Sequence, residues 1–318
     1  MFMQPLIILL GPTAVGKTEL SIQLAKKLKA EIISADSRLF YKGMDIGTAK
    51  PTPNQLEEVP HHLIDVSTPD DSWSLARYVR VLPEIIEDIS GRGKLPILVG
   101  GTGQYIRAVV EGWDLPGAKP DPNLRRILEL WADEIGPDGL RKRLQVLDPE
   151  AADIIDGPNI RRMIRALEVI FNTGETFTAQ KGKQGADYEI LQLGLIRPRE
   201  ELYQRIDERA DAMIEEGLVK EVKNLIKAGY SLELPSISAI GYKQVGHYLK
   251  GRITLEEAVR QIKSRTRKYV RQQANWFAED DPRIHWFNAG EKPLSEMIQL
   301  IQQFLAEICY TENISSGI

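Results

Sequence analysis

The sequence predicts an α/β fold: a parallel sheet with helices on both faces, into which a mostly helical domain is inserted. Three observations predict it. Short apolar runs bounded by turn residues alternate with helical patterns along the first hundred residues, as strands joined by crossover helices do. A glycine-rich loop lies between the first apolar run and the first helical pattern. The stretch 113–187 abandons the alternation for amphipathic helix, after which strand character returns.

Taken in order, residues 5–10 form an apolar run of the kind buried on both faces of a parallel sheet. Residues 19–29 place Leu20, Leu24, Ala25 and Leu28 on one helical face. Strands are expected at 31–34, 62–66 and 95–99, with a helix between the last two marked by Leu75, Val79, Leu82, Ile86 and Ile89 and containing Pro83. The run 95–99 ends in Gly100-Gly101-Thr102-Gly103, and ligands of such a sheet gather at the carboxyl ends of its strands. The insertion opens on Leu115-Pro116-Gly117-Ala118-Lys119-Pro120-Asp121-Pro122 and closes on Gln180-Lys181-Gly182-Lys183-Gln184-Gly185. A strand follows at 188–196, then one long helical pattern at 199–228 and another at 254–278. The expected division is a core in two parts, 1–112 and 188–309, around the insertion 113–187, with a frayed tail at 310–318.

Composition narrows the class. A 318-residue chain with 42% hydrophobic and 27% charged residues can bury a sizeable core and leaves little room for disorder. Its single cysteine, Cys309, excludes an internal disulfide and a multi-cysteine zinc site. The start Met1-Phe2-Met3-Gln4 lacks the basic region of a secretion signal, so a cytoplasmic protein is expected. Its longest apolar stretch is strand-sized, against the roughly 20 residues of a membrane span, and no membrane association is expected. A net charge of −4 does not favour a nucleic-acid partner, which must be argued from local clusters.

The strongest chemical signal is Gly11-Pro12-Thr13-Ala14-Val15-Gly16-Lys17-Thr18, a complete P-loop pattern between predicted strand and predicted helix. Its glycines let successive N–H groups and the helix N-terminus face an anion, Lys17 adds charge, and Thr18 can hold Mg2+. Such loops are commonly nucleotide-binding, ATP-binding above all, and a hydrolase or kinase is the usual reading. That reading needs a second acid after an apolar strand. The run 95–99 ends in glycines instead, and His62-Leu63-Ile64-Asp65 has only two apolar residues before its acid. His61 and His62 bring neither a ligand set nor a nucleophile. Asp36, just past the second strand, is placed to face the loop and could act as a base.

These residues carry a resemblance. The loop 11–18, Ser34-Ala35-Asp36-Ser37, the string from Tyr41 through Gly47-Thr48-Ala49-Lys50-Pro51, and Val99-Gly100-Gly101-Thr102-Gly103 resemble the tRNA dimethylallyltransferase family. Ile160-Arg161-Arg162, Arg165-Ala166-Leu167-Glu168, Gln204-Arg205-Ile206-Asp207-Glu208-Arg209 and Gly241-Tyr242-Lys243-Gln244 follow in the same order, so the likeness covers about 270 residues. It departs mildly at Gln104 and lacks the zinc-finger extension of some eukaryotic members.

The resemblance implies transfer of a dimethylallyl group from dimethylallyl diphosphate to N6 of the adenine just 3′ of the anticodon, with Mg2+ as cofactor and the loop holding pyrophosphate rather than ATP. Lys17, Thr18 with its metal, Thr102 and Arg209 become candidates for stabilising the leaving group. Asp36 becomes the candidate base and adenine reader. Each has a plainer alternative: Arg209 as an arginine paired along its helix, Thr102 as a turn residue, Asp36 as a turn cap. For the tRNA anticodon stem-loop, the resemblance points to Asp36, Ser37, Arg38, Leu39, Thr102, Arg125, Arg161, Arg162, Arg165, Gly241, Tyr242, Lys243, Arg267 and Arg271. Arg161, Arg162 and Arg165 share one predicted helix; Arg260, Lys263, Arg265, Arg267, Lys268 and Arg271 line another, with Tyr269 and Trp276 interleaved. From charge alone a charge-rich helix is usually a solvated face, and the resemblance overturns that reading. A monomer is expected. A small-molecule kinase, an adenylate isopentenyltransferase and a non-enzymatic RNA-binding module remain as alternatives.

Overall fold

The computed structural model describes residues 3–115, 121–179, 182–183 and 187–315. Most of the proline-rich opening of the insertion (116–120) and most of its polar closing string lie outside them. The elements run β1 (Gln4–Leu10), α1 (Lys17–Leu28), β2 (Ala30–Ser34), α2 (Pro53–Glu58), β3 (His61–His62), α3 (Leu75–Gly91), β4 (Leu95–Gly100), α4 (Gly103–Val110), β5 (Trp113–Asp114), α5 (Pro122–Leu147), α6 (Pro149–Ile154), α7 (Ile160–Thr173), β6 (Gly182–Lys183), β7 (Tyr188–Ile196), α8 (Arg199–Glu215), α9 (Leu218–Lys227), α10 (Tyr242–Leu249), α11 (Leu255–Ala274), β8 (Ile284–Asn288) and α12 (Leu294–Ser315).

The chain divides into two compact units, residues 1–110 with 186–318, and residues 111–185. The first holds a six-stranded sheet of order β3-β2-β4-β1-β7-β8 in which every pairing is parallel. Alternation along β1 feeds two cores. Leu6, Ile8 and Leu10 face the one closed by α3, α4, α9 and α10, whereas Ile7 and Leu9 face the one closed by α1, α8 and α12. Burial on both faces is why β1 reads as an unbroken apolar run. Because β2 and β7 lie to opposite sides of β1, the loop after β1 sits where the order reverses, the usual ligand position in such sheets.

The helical unit has its own apolar core, built from Leu128, Leu140 and Leu144 of α5, Ala151 of α6, and Met163 and Leu167 of α7. α5 is broken by Gly136 (φ 70°) before Pro137. β5 and β6 form a short antiparallel pair.

Three expectations need correction. The tail expected to fray from 310 is helical as far as Ser315, as the end of α12. The strand expected at 62–66 shrinks to His61–His62, because Leu63 and Asp65 take positive φ and the chain turns away. His62 Nε2 meets Glu31 at 2.8 Å and His61 Nδ1 meets the Val59 carbonyl at 2.7 Å, so both histidines brace the edge strand. The helical pattern 199–228 is two helices, since Gly217 (φ 107°) sits between α8 and α9 and periodicity alone does not see a break that preserves the apolar phase. Among the described residues no helix is long and apolar enough to cross a membrane.

Candidate active site

The loop 11–18 leaves β1 and enters α1 with Gly16 at φ 116°, a conformation that favours glycine. Gly16 offers no side-chain cap to α1, so the first-turn N–H groups are left for an anion. Lys17 curls back, donating from Nζ to the Gly11 carbonyl at 2.9 Å and the Pro12 carbonyl at 2.8 Å. Burial lowers its pKa to about 8; the Asp36 carboxylate opposes that shift and Arg209 adds to it. Ala14, itself at φ 67°, has its carbonyl held by Arg205 Nε at 2.8 Å.

Two cavities meet over this loop. One, of about 320 Å³, is polar and lined by Lys17, Thr18, Asp36, Arg205 and Arg209 among others. The other, about 340 Å³, has Ile206, Ala210, Met213, Ile240 and Ile262 in its wall. Thr13, Asp36, Thr48, Ala49 and Arg209 line both. Arg209 makes no hydrogen bond or ion pair among the described residues, and burial, with Arg205 nearby, lowers its pKa. The helix-surface pairing expected of an ordinary arginine is therefore not made.

Asp36 follows β2 on the loop that faces the phosphate loop. Its Oδ1 accepts the Arg38 N–H at 3.0 Å, so it does cap a turn. Its Oδ2 takes no hydrogen bond among the described residues. The Ser37 N–H donates to Thr102 Oγ1 at 3.4 Å, joining this loop to the glycine turn after β4. Leu39 lines the polar cavity. Burial and the Asp36 charge push the Tyr269 hydroxyl up to about 12, so it stays protonated at the cavity wall.

The wall segment at Gly47, Thr48 and Ala49 is held from behind. Glu221 of α9 accepts the N–H groups of Asp45 (3.1 Å), Ile46 (2.8 Å) and Gly47 (3.2 Å), and the Tyr242 hydroxyl donates to it at 2.6 Å. Lys50 Nζ, nearly buried, donates to Asp45 at 2.5 Å, to Asp65 at 2.6 Å and to the Tyr41 carbonyl at 3.0 Å.

The structure thus brings together Lys17, Thr18, Asp36 and Arg209, and links Ser37 to Thr102. It places several residues expected at an RNA surface elsewhere. Tyr242 is fully buried, its ring against Gly47, and Gly241 is buried beside it; only Lys243 of that trio is exposed. The Arg38 guanidinium donates to the carbonyls of Pro235 (3.0 Å) and Ser236 (3.2 Å). Arg125 and Arg165 converge on the buried Glu168 carboxylate at 2.5 and 2.9 Å. Arg267 pairs with Asp207, and Arg271 donates to the Tyr203 hydroxyl at 3.0 Å. Arg161 and Arg162 are exposed and their side chains have no partner among the described residues.

Sequence reasoning missed Gln273 of α11, whose side chain bridges the phosphate loop and the glycine turn, and Gln55, which lines the polar cavity. It also missed Glu221. A glutamate in an amphipathic helix looks like any surface acid, and nothing local marks partners 174 to 176 residues away.

The parallel sheet, the loop at its order reversal and a cationic pocket opening into an apolar one define an α/β protein that carries a phosphate-loop sequence pattern. Similarity to known proteins narrows the class. The family described as IPP transferase matches residues 39–280. A tRNA dimethylallyltransferase of Roseiflexus sp. is 50% identical over 275 residues, 86% of this chain and 90% of that one. The structure resembles that of a full-length tRNA isopentenylpyrophosphate transferase from Bacillus halodurans, 40% identical, with a TM-score of 0.73 over 98% of this chain and 99% of the other. It also resembles a eukaryotic dimethylallyltransferase acting on tRNA, 30% identical, with a TM-score of 0.77 over 90% of this chain and 74% of the other. The chain belongs to the IPP transferase family.

Proposed function

We propose that this chain transfers a dimethylallyl group from dimethylallyl diphosphate to N6 of the adenine immediately 3′ of the anticodon in tRNA, releasing pyrophosphate. The observation that carries the reading is Arg209, a half-buried guanidinium with no hydrogen bond or ion pair among the described residues, lining a pocket it shares with Lys17 and with Asp36, one of whose oxygens takes no hydrogen bond among those residues. A cation in that position calls for an anionic ligand.

In the reaction the C1–O bond of the allylic diphosphate breaks, N6 forms a bond to C1, and the N6 proton must leave. Lys17, Arg209 and the N-terminal N–H groups of α1 face the oxygens on which negative charge grows. Asp36 Oδ2 accepts from the exocyclic amine, orients its lone pair and takes the proton. The apolar chamber beside Arg209 has the lining to shelter an uncharged group from water.

The Thr18 hydroxyl, in the polar cavity and without a hydrogen bond of its own among the described residues, suits a hard cation such as Mg2+ that shares its coordination with diphosphate. When bound, Mg2+ would neutralise diphosphate charge. No cluster of three acidic, histidine or cysteine side chains among the described residues offers a different seat.

RNA contact is assigned to Arg161 and Arg162 of the helical unit, to Lys243, and to Arg265 and Lys268, exposed cations of α11 with no partner among the described residues. We take the protein to act as a cytoplasmic monomer. The test is to incubate labelled dimethylallyl diphosphate with tRNA, with AMP and with neither. Label on tRNA alone is expected; label on AMP indicates an adenylate-directed enzyme, and a strict ATP requirement with a phosphorylated product would overturn the transferase reading.

A further inference from the structure

We infer that Gln273 is a positioning residue that sets the distance between the phosphate loop and the glycine turn after β4, and with it the seat of the diphosphate; the inference rests on the diphosphate reading above. Gln273 lies one residue before the end of α11 and is 3% exposed. Its Oε1 accepts the Thr13 N–H at 2.9 Å, and its Nε2 donates to the Gly101 carbonyl at 2.8 Å. One amide thus clasps two loops that are 88 residues apart in sequence, from a helix 172 residues beyond the second.

The clasp is tight. A Cβ at position 101 would stand 2.5 Å from Gln273 Nε2, 2.9 Å from the Gly11 carbonyl oxygen and 3.4 Å from Lys17 Nζ, so the turn, the amide, the first loop glycine and the loop lysine meet around one point. From Gly101 the connection continues through Thr102, whose hydroxyl accepts the Ser37 N–H next to Asp36. The residues proposed to hold the leaving group and the acid proposed to receive the proton are therefore referenced to the same side chain.

Side-chain chemistry explains why an amide is needed. It offers an acceptor and a donor at its two ends, whereas glutamate keeps only acceptors and methionine, of similar length, keeps neither strongly. Without the clasp, the partly buried Thr13 N–H and the buried Gly101 carbonyl lose their partner, and the carbonyl can find another only if the loops move.

The test compares wild type, Gln273→Met, Gln273→Glu and Gly101→Ala, which pushes the same amide aside from the opposite side. Pyrophosphate binding is measured by calorimetry with Mg2+ present, transfer is resolved into KM for each substrate and kcat, and the melting temperature is recorded. Each variant should raise the pyrophosphate Kd and the KM for the allylic diphosphate about tenfold or more, equivalent to about 1.4 kcal/mol. The KM for tRNA should stay within about twofold, and Gln273→Glu, which adds negative charge, should lose the most. Unchanged pyrophosphate affinity in the folded variants, or losses that merely track melting temperature across all three, overturns the inference. Failure of wild type itself to bind pyrophosphate would instead overturn the functional reading.

Discussion

The pocket at the carboxyl edge of the sheet and the two arginine-rich helices use charge in opposite ways. In the pocket a few ionic groups are held apart from counter-ions: among the described residues Arg209 has no hydrogen-bond or ion-pair partner, Lys17 donates only to carbonyls, and one oxygen of Asp36 takes no hydrogen bond. On α11 most of the cations are already committed. Arg260 pairs with Glu257, Lys263 with Asp211, Arg267 with Asp207, and Arg271 with the Tyr203 hydroxyl, which among the described residues leaves Arg265 and Lys268 without a partner. On α7 Arg165 is tied to Glu168, while the exposed side chains of Arg161 and Arg162 have no partner among the described residues. A count of lysines and arginines overstates the charge available to a partner, whereas an uncompensated ion in a cavity marks a site even when it stands alone.

The sharpest test of the contrast is in the pocket. Asp36→Asn keeps the shape and an oxygen acceptor but removes the proposed base, so single-turnover transfer at saturating substrates should fall about 100-fold to 10,000-fold. tRNA affinity should be nearly retained. Transfer at close to the wild-type rate would make Asp36 a turn cap and nothing more.

Lys17→Ala should abolish measurable transfer or cost at least about 100-fold, as removal of a group that faces developing charge does. Its titration gives a second reading. The folded-state pKa is about 8, below the ordinary 10.5, so the ammonium is present below that value and is lost as pH rises through it. Pyrophosphate affinity should therefore weaken above pH 8 and binding there should take up a proton, visible as a calorimetric heat that depends on the buffer. Lys17→Arg should remove the pH dependence; a persistent dependence assigns the titration to another group.

Glu221→Ala leaves three backbone N–H groups and the Tyr242 hydroxyl without their acceptor. A drop of about 1–3 kcal/mol in unfolding free energy is expected from denaturant titration, with reduced transfer because Thr48 and Ala49 line both cavities. Undiminished stability would mean that the loop at 45–47 holds itself.

The smallest effects separate the helices. Replacing Arg161 and Arg162 together should weaken tRNA binding and reduce the slope of log K against log salt by about one for each phosphate no longer neutralised. Replacing Arg267 and Arg271 should leave that slope nearly unchanged, since Asp207 and Tyr203 already hold them. Equal slope changes for the two pairs would mean that committed and free arginines serve the RNA alike.

The sequence by itself determined the parts whose physics is local. The phosphate loop is contiguous, its glycine conformations and the helix that follows are encoded within eight residues, and Lys17 and Thr18 come with it. The strand β1 was legible because burial on both faces demands an unbroken apolar run, and β2, β4 and β7 as shorter apolar stretches bounded by polar or turn residues. Only the tertiary structure decided which polar side chains are available. Gln273, Glu221 and Lys50 meet partners brought together by packing, Tyr242 turned from a candidate RNA contact into a buried brace, and Arg125 and Arg165 closed on Glu168. A hydrogen bond or ion pair reaches about 3 Å in space and leaves no period in the sequence, so the difference between a free cation and a committed one appears only once the chain is folded.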